Sequence, residues 1–245
     1  MKTRVIHWFK FASPQNFYGL AGKLWPWFAA LATVLAGVGL WISFFVAPVD
    51  AQQGQGYRII FVHVPASQLS MLIYLVMAAW AGFGLAFNTR LSGMMACALA
   101  PTGALFAFLS LITGALWGKP MWGAWWVWDA RLTSELILLF LYLGFMALHA
   151  SIDDPRRADK ASAVLALVGA VNVPIIYFSV KWWNTLHQGA SVSMGGSSMA
   201  STMLTGMLIM VLAFWMYAIT IALLRVRNII LDRERHTEWV KHAVA

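Results

Sequence analysis

Six apolar stretches, each about as long as a bilayer core is thick, dominate what this chain can fold into. They run roughly over 24–46, 67–87, 94–117, 132–148, 162–180 and 200–224. A helix crossing hydrocarbon needs about 20 mostly apolar residues. Five of the six contain no charged residue, and the fourth contains only Glu135, near one end. Of the 245 residues, 61% are hydrophobic and 11% charged. Soluble domains average about 45–50% and 25%, so a water-soluble globule and a disordered chain are both excluded. The expectation is an all-α polytopic membrane protein, one integral domain over 1–245 with six transmembrane helices.

Charge orients the spans. Thirteen of the 17 Lys and Arg fall in the N-terminus, the 88–93 turn, the 149–161 loop and the tail. The other four, Arg58, Lys119, Arg131 and Lys181, fall in the alternate segments. The positive-inside rule puts the richer side and both termini in the cytoplasm, with loops 47–66, 118–131 and 181–199 outside. The net charge of +8 therefore reports orientation, and no nucleic-acid partner is expected. Cys97 is the only cysteine and there is no CxxCH, so the chain is not a covalent c-type cytochrome. The N-terminal segment carries no cleavable-signal pattern. Residues 4–12 mix basic and aromatic positions and are expected in the membrane plane. The tail is expected to leave the membrane as a short helix, and the Gly/Ser/Met-rich stretch 191–201 reads as a flexible outer loop.

The second outer segment, Trp117 to Glu135, reads WGKPMWGAWWVWDARLTSE and holds five of the 14 tryptophans. Gly118-Lys119-Pro120 is expected to break the third span. If 121–130 is then an interfacial helix, Trp122, Trp125, Trp126 and Asp129 share one face. A single tryptophan at this level is ordinary interfacial anchoring. Three on one face form a rigid apolar platform suited to a flat ligand. Asp129 serves either that ligand or the cap of the fourth span. Glu135, one turn further in, is costly in a membrane unless paired and is expected to be functional by default; a partner such as Arg131 at i−4 would reduce that to a structural ion pair.

Of six histidines, only His63 and His187 fall in outer segments; His7, His149, His236 and His242 are assigned no role. Each outer loop thus supplies one part: a His, a tryptophan face, a His. Bare zinc fits poorly, because it wants three or four N/S ligands and the outer loops have no cysteine. Haem fits better. Its plane wants aromatic walls, and its iron accepts one or two neutral imidazoles. Its propionates want cations, for which Arg58 and Arg131 are candidates; headgroup contact explains each equally well. Lys181-Trp182-Trp183 is expected to extend the wall, and Asn172-Val173-Pro174 to bend the fifth span. Two rivals remain open at this point: a membrane electron-transfer cytochrome b, and a membrane subunit of an ABC transporter that binds no haem. A permease carrying haem through the bilayer is a third, although mid-span polar residues are few.

The run WGAWWVWD, Trp122 to Asp129, resembles the WWD signature of membrane haem-handling proteins in bacterial cytochrome c maturation. With VHVPAS around His63, GKPMWG, WDARLTSELILLFLYLG and WWNTLHQG around His187, the whole chain resembles the haem-exporter protein C (CcmC) family. That resemblance implies haem b held between two axial histidines, here His63 and His187, on the outer side of the bacterial inner membrane. It implies a haem platform at Trp122, Trp125, Trp126, Trp128 and Asp129. It further implies delivery to the periplasmic haem chaperone CcmE, in an assembly with the ABC transporter subunits CcmA and CcmB and the small membrane protein CcmD. The chain has no GxxxxGK[ST], so it is expected to be a haem-handling component and not an ATPase or other enzyme.

Overall fold

In hydrocarbon every backbone N–H and C=O must find its partner inside the chain, which leaves long helices as the economical solution for apolar runs like these. The computed structural model describes residues 8–185, 187, 192–193 and 196–244. His7 and the first part of the 4–12 segment lie outside the described residues.

The helices are α1 (Pro14–Trp41), α2 (Ile60–Phe87), α3 (Arg90–Trp122), α4 (Ala130–Ala150), α5 (Pro155–Gly169), α6 (Asn172–Trp182), α7 (Ser201–Arg233) and the short α8 (Glu238–Val244). A π-helical turn, Ile42–Val46, prolongs α1, and a 3-10 turn, Gln55–Ile59, leads into α2. Six spans result, Pro14–Val46, Gln55–Phe87, Arg90–Trp122, Ala130–Ala150, Pro155–Trp182 and Ser201–Arg233. They coincide with the six expected stretches but are longer, by 12 residues at the start of the second. The reason is chemical: helices run past the hydrocarbon into polar residues that hydropathy discards. The tail accordingly stays helical to Arg233 before α8 begins. In the 191–201 stretch the described residues include a two-residue hairpin, β1 (Val192–Ser193) on β2 (Gly196–Ser197).

Caps explain the boundaries. Ser13 accepts from the Asn16 N–H at 3.3 Å with Pro14 at the first helical position. Asp154 accepts from Arg157 N at 2.8 Å with Pro155 following. Asn88, in the left-handed region at φ 51°, ends α2 and lets α3 start two residues later. The fifth span is broken, as expected, at Ala170–Val171. Asn172 seals the break by donating from Nδ2 to the Ser134 carbonyl at 2.9 Å.

Among α2, α3 and α4 the core is knitted by aromatic and small residues. Tyr142 and Tyr74 meet edge-on with ring centres 4.9 Å apart, and the Tyr142 hydroxyl donates to the Ser70 carbonyl at 2.7 Å. Gly103 makes room, because a Cβ there would lie 2.1 Å from Tyr142 Cζ. α1 packs mainly on α7 and leaves Trp27, Val34 and Trp41 facing outward, as a lipid-facing helix does. At the Arg-rich end, Arg233 grips Asp159 at 2.6 and 2.8 Å, Asp159 also meets His149 at 3.0 Å, and Arg90 pairs with Glu234 at 3.1 Å. These contacts tie α3, α4, α5 and α7 together opposite the tryptophan segment.

Candidate functional site

His63 sits within α2, not in a loop as expected, in the turn that lengthens that helix outward. Its ring is 7% exposed. Nδ1 lies 3.0 Å from Thr113 Oγ1 on α3, and that hydroxyl lies 2.5 Å from the Leu109 carbonyl. A hydroxyl has one hydrogen, and the carbonyl takes it. Thr113 Oγ1 therefore accepts from His63, the proton sits on Nδ1, and the lone pair is left on Nε2. Gly114 lets the ring lie against α3; a Cβ there would be 3.2 Å from His63 Cε1.

The tryptophan segment corrects one expectation. Gly118-Lys119-Pro120 does not break α3, which continues to Trp122. Gly123, at φ 79°, ends it, and 124–129 is irregular rather than an interfacial helix. Pro120 is tolerated because it falls in the last turn, where it forfeits a single ladder bond. The segment instead folds back over the end of α3, with the Ala124 carbonyl against Gly118, where a Cβ would come to 3.0 Å. Lys119 Nζ holds the turn by donating to the Gly123 carbonyl at 3.1 Å.

Folding back brings together most of the residues picked out from sequence. His63, His187, Trp122, Trp125, Trp126 and Asp129 line one cavity, floored by Trp117. The His63 and His187 ring centres are 6.2 Å apart, with planes inclined at 35°. Two imidazole nitrogens bound to one metal from opposite sides, each at about 2 Å, put the ring centres about 6 Å apart. His63 also meets Trp117 edge-on at 5.7 Å. Arg131 lines an adjoining cavity with both histidines, Tyr177 and Ser67. Trp128 lies outside the lining at 78% exposure, its ring 5.3 Å from that of Trp126.

Asp129 caps α4, accepting from Leu132 N at 2.8 Å through Oδ1. Its Oδ2 and the Trp126 Nε1 are buried without a hydrogen-bond partner among the described residues. Buried polar atoms are nearly always satisfied, and both of these residues line the cavity beside the imidazoles. An orphaned donor and acceptor there suit a ligand bearing polar groups at the edge of an apolar plane.

Other candidates are placed differently. Arg58 gives its donors to the Ser43 and Ala47 carbonyls and to Gln55 Oε1, fastening the end of the first span, and lines neither cavity. Trp182 and Trp183 pack on each other at 5.8 Å and also stay outside the two cavities, so they do not extend the wall as expected. Arg131 and Glu135 do not form the ion pair that would make Glu135 merely structural. Arg131 donates to the Ile176 carbonyl at 2.8 Å and to Ser67 Oγ at 2.9 Å, whereas Glu135 accepts from Ser70 Oγ at 2.8 Å. Intervening hydroxyls from α2 separate them. Sequence reasoning missed Thr113, Gly114 and Gln53, whose Oε1 accepts from Trp117 Nε1 at 2.9 Å and ties the first outer segment to α3. A polar residue and a glycine side by side in an apolar span were the available signal for the first two.

Six spans, with a tryptophan-lined cavity bordered by two imidazoles at one end, define a polytopic membrane protein. A family model described as heme exporter protein C matches residues 7–241, and the chain belongs to that family. The Heme exporter protein C of Escherichia coli K12 is 46% identical over 241 residues, covering 98% of this chain and 97% of that protein. The Bradyrhizobium diazoefficiens protein of the same name is 51% identical over 223 residues, 91% and 84% of the two chains. A putative cytochrome c biosynthesis ccmC-like mitochondrial protein of Marchantia polymorpha is 45% identical over 198 residues, 81% and 84%.

Proposed function

We propose that this chain takes part in haem export for cytochrome c maturation by holding haem b at the outer face of the bacterial inner membrane. The observation that carries the reading is the pair of imidazoles 6.2 Å apart beside a tryptophan-lined cavity. Haem is cargo here, not a resident cofactor. His63 offers Nε2, its tautomer set by Thr113, and His187 is the second axial ligand. Trp122, Trp125 and Trp126 supply the apolar wall, and the unpaired Trp126 Nε1 and Asp129 Oδ2 face the cargo's polar edge. Arg131 meets a propionate. Arg58, which lines neither cavity, keeps the first outer segment in register and is assigned no propionate. The exposed Trp125 and Trp128 offer a rigid apolar surface on which the periplasmic haem chaperone CcmE docks. CcmA, CcmB and CcmD complete the assembly, and ATP hydrolysis is left to the transporter subunits.

Two features favour holding cargo over retaining a prosthetic group. The histidines lie at the rim of the bundle and not between mid-membrane helices, and His187 comes from a loop. The test is an optical titration of the purified chain with haemin. Wild type should develop a six-coordinate bis-imidazole spectrum. His63→Ala and His187→Ala should each lose it while keeping the helical circular dichroism of wild type. A wild-type spectrum in either variant overturns the ligand assignment.

A further inference from the structure

A third cavity, about 340 Å³, lies at the end of the bundle opposite the tryptophan segment, between the ends of α2, α3, α5 and α7. The haem reading makes no use of it. Five cations border it, Arg90, Arg156, Lys160, Arg233 and Arg235, against three carboxylates, Asp154, Asp159 and Asp232.

Every one of those carboxylates is already committed. Asp159 holds Arg233 through both oxygens at 2.6 and 2.8 Å, Asp232 holds Arg235 at 3.1 Å, and Asp154 caps α5 at 2.8 Å. Arg156 and Lys160 are left over. Both are exposed, and neither makes a side-chain hydrogen bond or ion pair with the described residues. They are four apart on α5 and so project on the same side. Like charges at that spacing repel unless an anion lies between them.

The backbone adds to this field. Thr89, the N-cap of α3, gives no capping hydrogen bond to the helix; its hydroxyl pairs with Ser92 Oγ at 2.5 Å instead. The uncapped first turn of a 33-residue helix therefore opens on the cavity. Helix starts carry partial positive charge and unpaired N–H groups. The inner wall is apolar, with Leu85, Met94 and Phe145. Cations at a rim over an apolar wall, level with the span ends, match an amphiphile with an anionic head. Basic pockets between membrane helices on the positively charged side take phosphate headgroups.

We propose that this cavity binds a phosphate ester, presented as the headgroup of an acidic phospholipid, with Arg156 and Lys160 as its principal ligands and Arg90 at its edge. The site is independent of the haem reading, and its failure leaves that reading untouched.

The test uses the full chain purified in non-ionic detergent. Phosphatidylglycerol, phosphatidylcholine and inorganic phosphate are added separately, and retained lipid is counted by native mass spectrometry alongside thermal unfolding. Wild type should retain phosphatidylglycerol roughly tenfold over phosphatidylcholine, as two surface cations allow, and less at high salt. The double variant Arg156→Gln/Lys160→Gln should fall to parity between the lipids while its tryptophan fluorescence stays that of wild type. Parity in wild type, or an undiminished preference in the double variant, overturns the site. Inorganic phosphate that protects as well as phosphatidylglycerol overturns the lipid as its source. If the double variant does not fold, the wild-type lipid comparison and Lys160→Gln alone decide the matter by the same criteria.

Discussion

Thr113→Val tests whether the histidine of α2 is aimed by its neighbour or merely packed. Valine keeps the volume and branching of threonine and removes only the hydroxyl that accepts from His63 Nδ1 at 3.0 Å. Two costs follow. The ring sits at 7% exposure, so an unpaired N–H there destabilises the empty protein by about 1–3 kcal/mol. The protein can relieve this by moving the proton to Nε2, the atom proposed to bind iron; on that proposal, loading cargo must then reverse the tautomer. Outer partners of metal-bound histidines are typically worth about 10–100-fold in affinity. The lower end applies here, because Gly114 and Trp117 still hold the ring in place. We expect about tenfold weaker haem binding in an equilibrium titration followed at the Soret band, with Thr113→Ser restoring it. Haem affinity within twofold of wild type in Thr113→Val, in protein of normal stability, would refute the tautomer argument.

The remaining expectations concern stability, read as thermal unfolding in detergent. Arg233→Ala strips a two-point partner from Asp159, whose side chain is 18% exposed; breaking such a pair from one side costs about 3–5 kcal/mol, and lysine should not rescue a planar fork. Gly103→Ala sets a methyl 2.1 Å from a fully buried Tyr142 ring, which overpacks the core and should cost at least about 1–3 kcal/mol. Asp129→Ala removes the cap of α4 and should cost about 1 kcal/mol, whereas Asp129→Asn, which keeps a capping oxygen, should lie close to wild type.

Much of the fold could be read directly because bilayer physics is one-dimensional. A run of some 20 apolar residues reports a span whatever it packs against, and all six were visible. Where a helix stops is a different matter, since that depends on polar residues outside the hydrocarbon. His63 was therefore assigned to a loop when it belongs to a helix. The tryptophan segment failed for a related reason. Spacing at i, i+3, i+4 and i+7 favours a helical face, but Gly123 enters the left-handed region and redirects the chain. The same rings still converge, now on an irregular segment. Residue chemistry picks out side chains that the structure brings to one cavity, whereas periodicity gives the wrong backbone for them. Arg58 shows the limit of proximity in sequence: five positions from His63, it spends its donors on the carbonyls of another span. Thr113 and Gly114 were not legible because their contribution exists only once α2 lies on α3.

The two ends of the bundle obey opposite rules, and each makes the other possible. At the Arg-rich end Asp159, Asp232 and Glu234 meet guanidinium partners, and Gly93 lets Asp159 lie close against α3. At the other end Trp126 Nε1, Asp129 Oδ2 and Glu135 Oε2 are buried without a hydrogen-bond partner among the described residues, and Trp125 and Trp128 stand 55% and 78% exposed. An unsatisfied buried group costs about 1–3 kcal/mol. A fold of marginal stability sustains such a loss only if other contacts over-determine the arrangement. The ion-pair clamp and the tyrosine-centred core between α2 and α4 do so here. They fix the helices that carry His63 and Arg131, so the rim can keep unpaired donors and exposed rings, the groups that the proposed haem reading needs. Filling that rim with partners of its own, a glutamine opposite Trp126 for instance, would raise stability and remove the reason for anything to bind there.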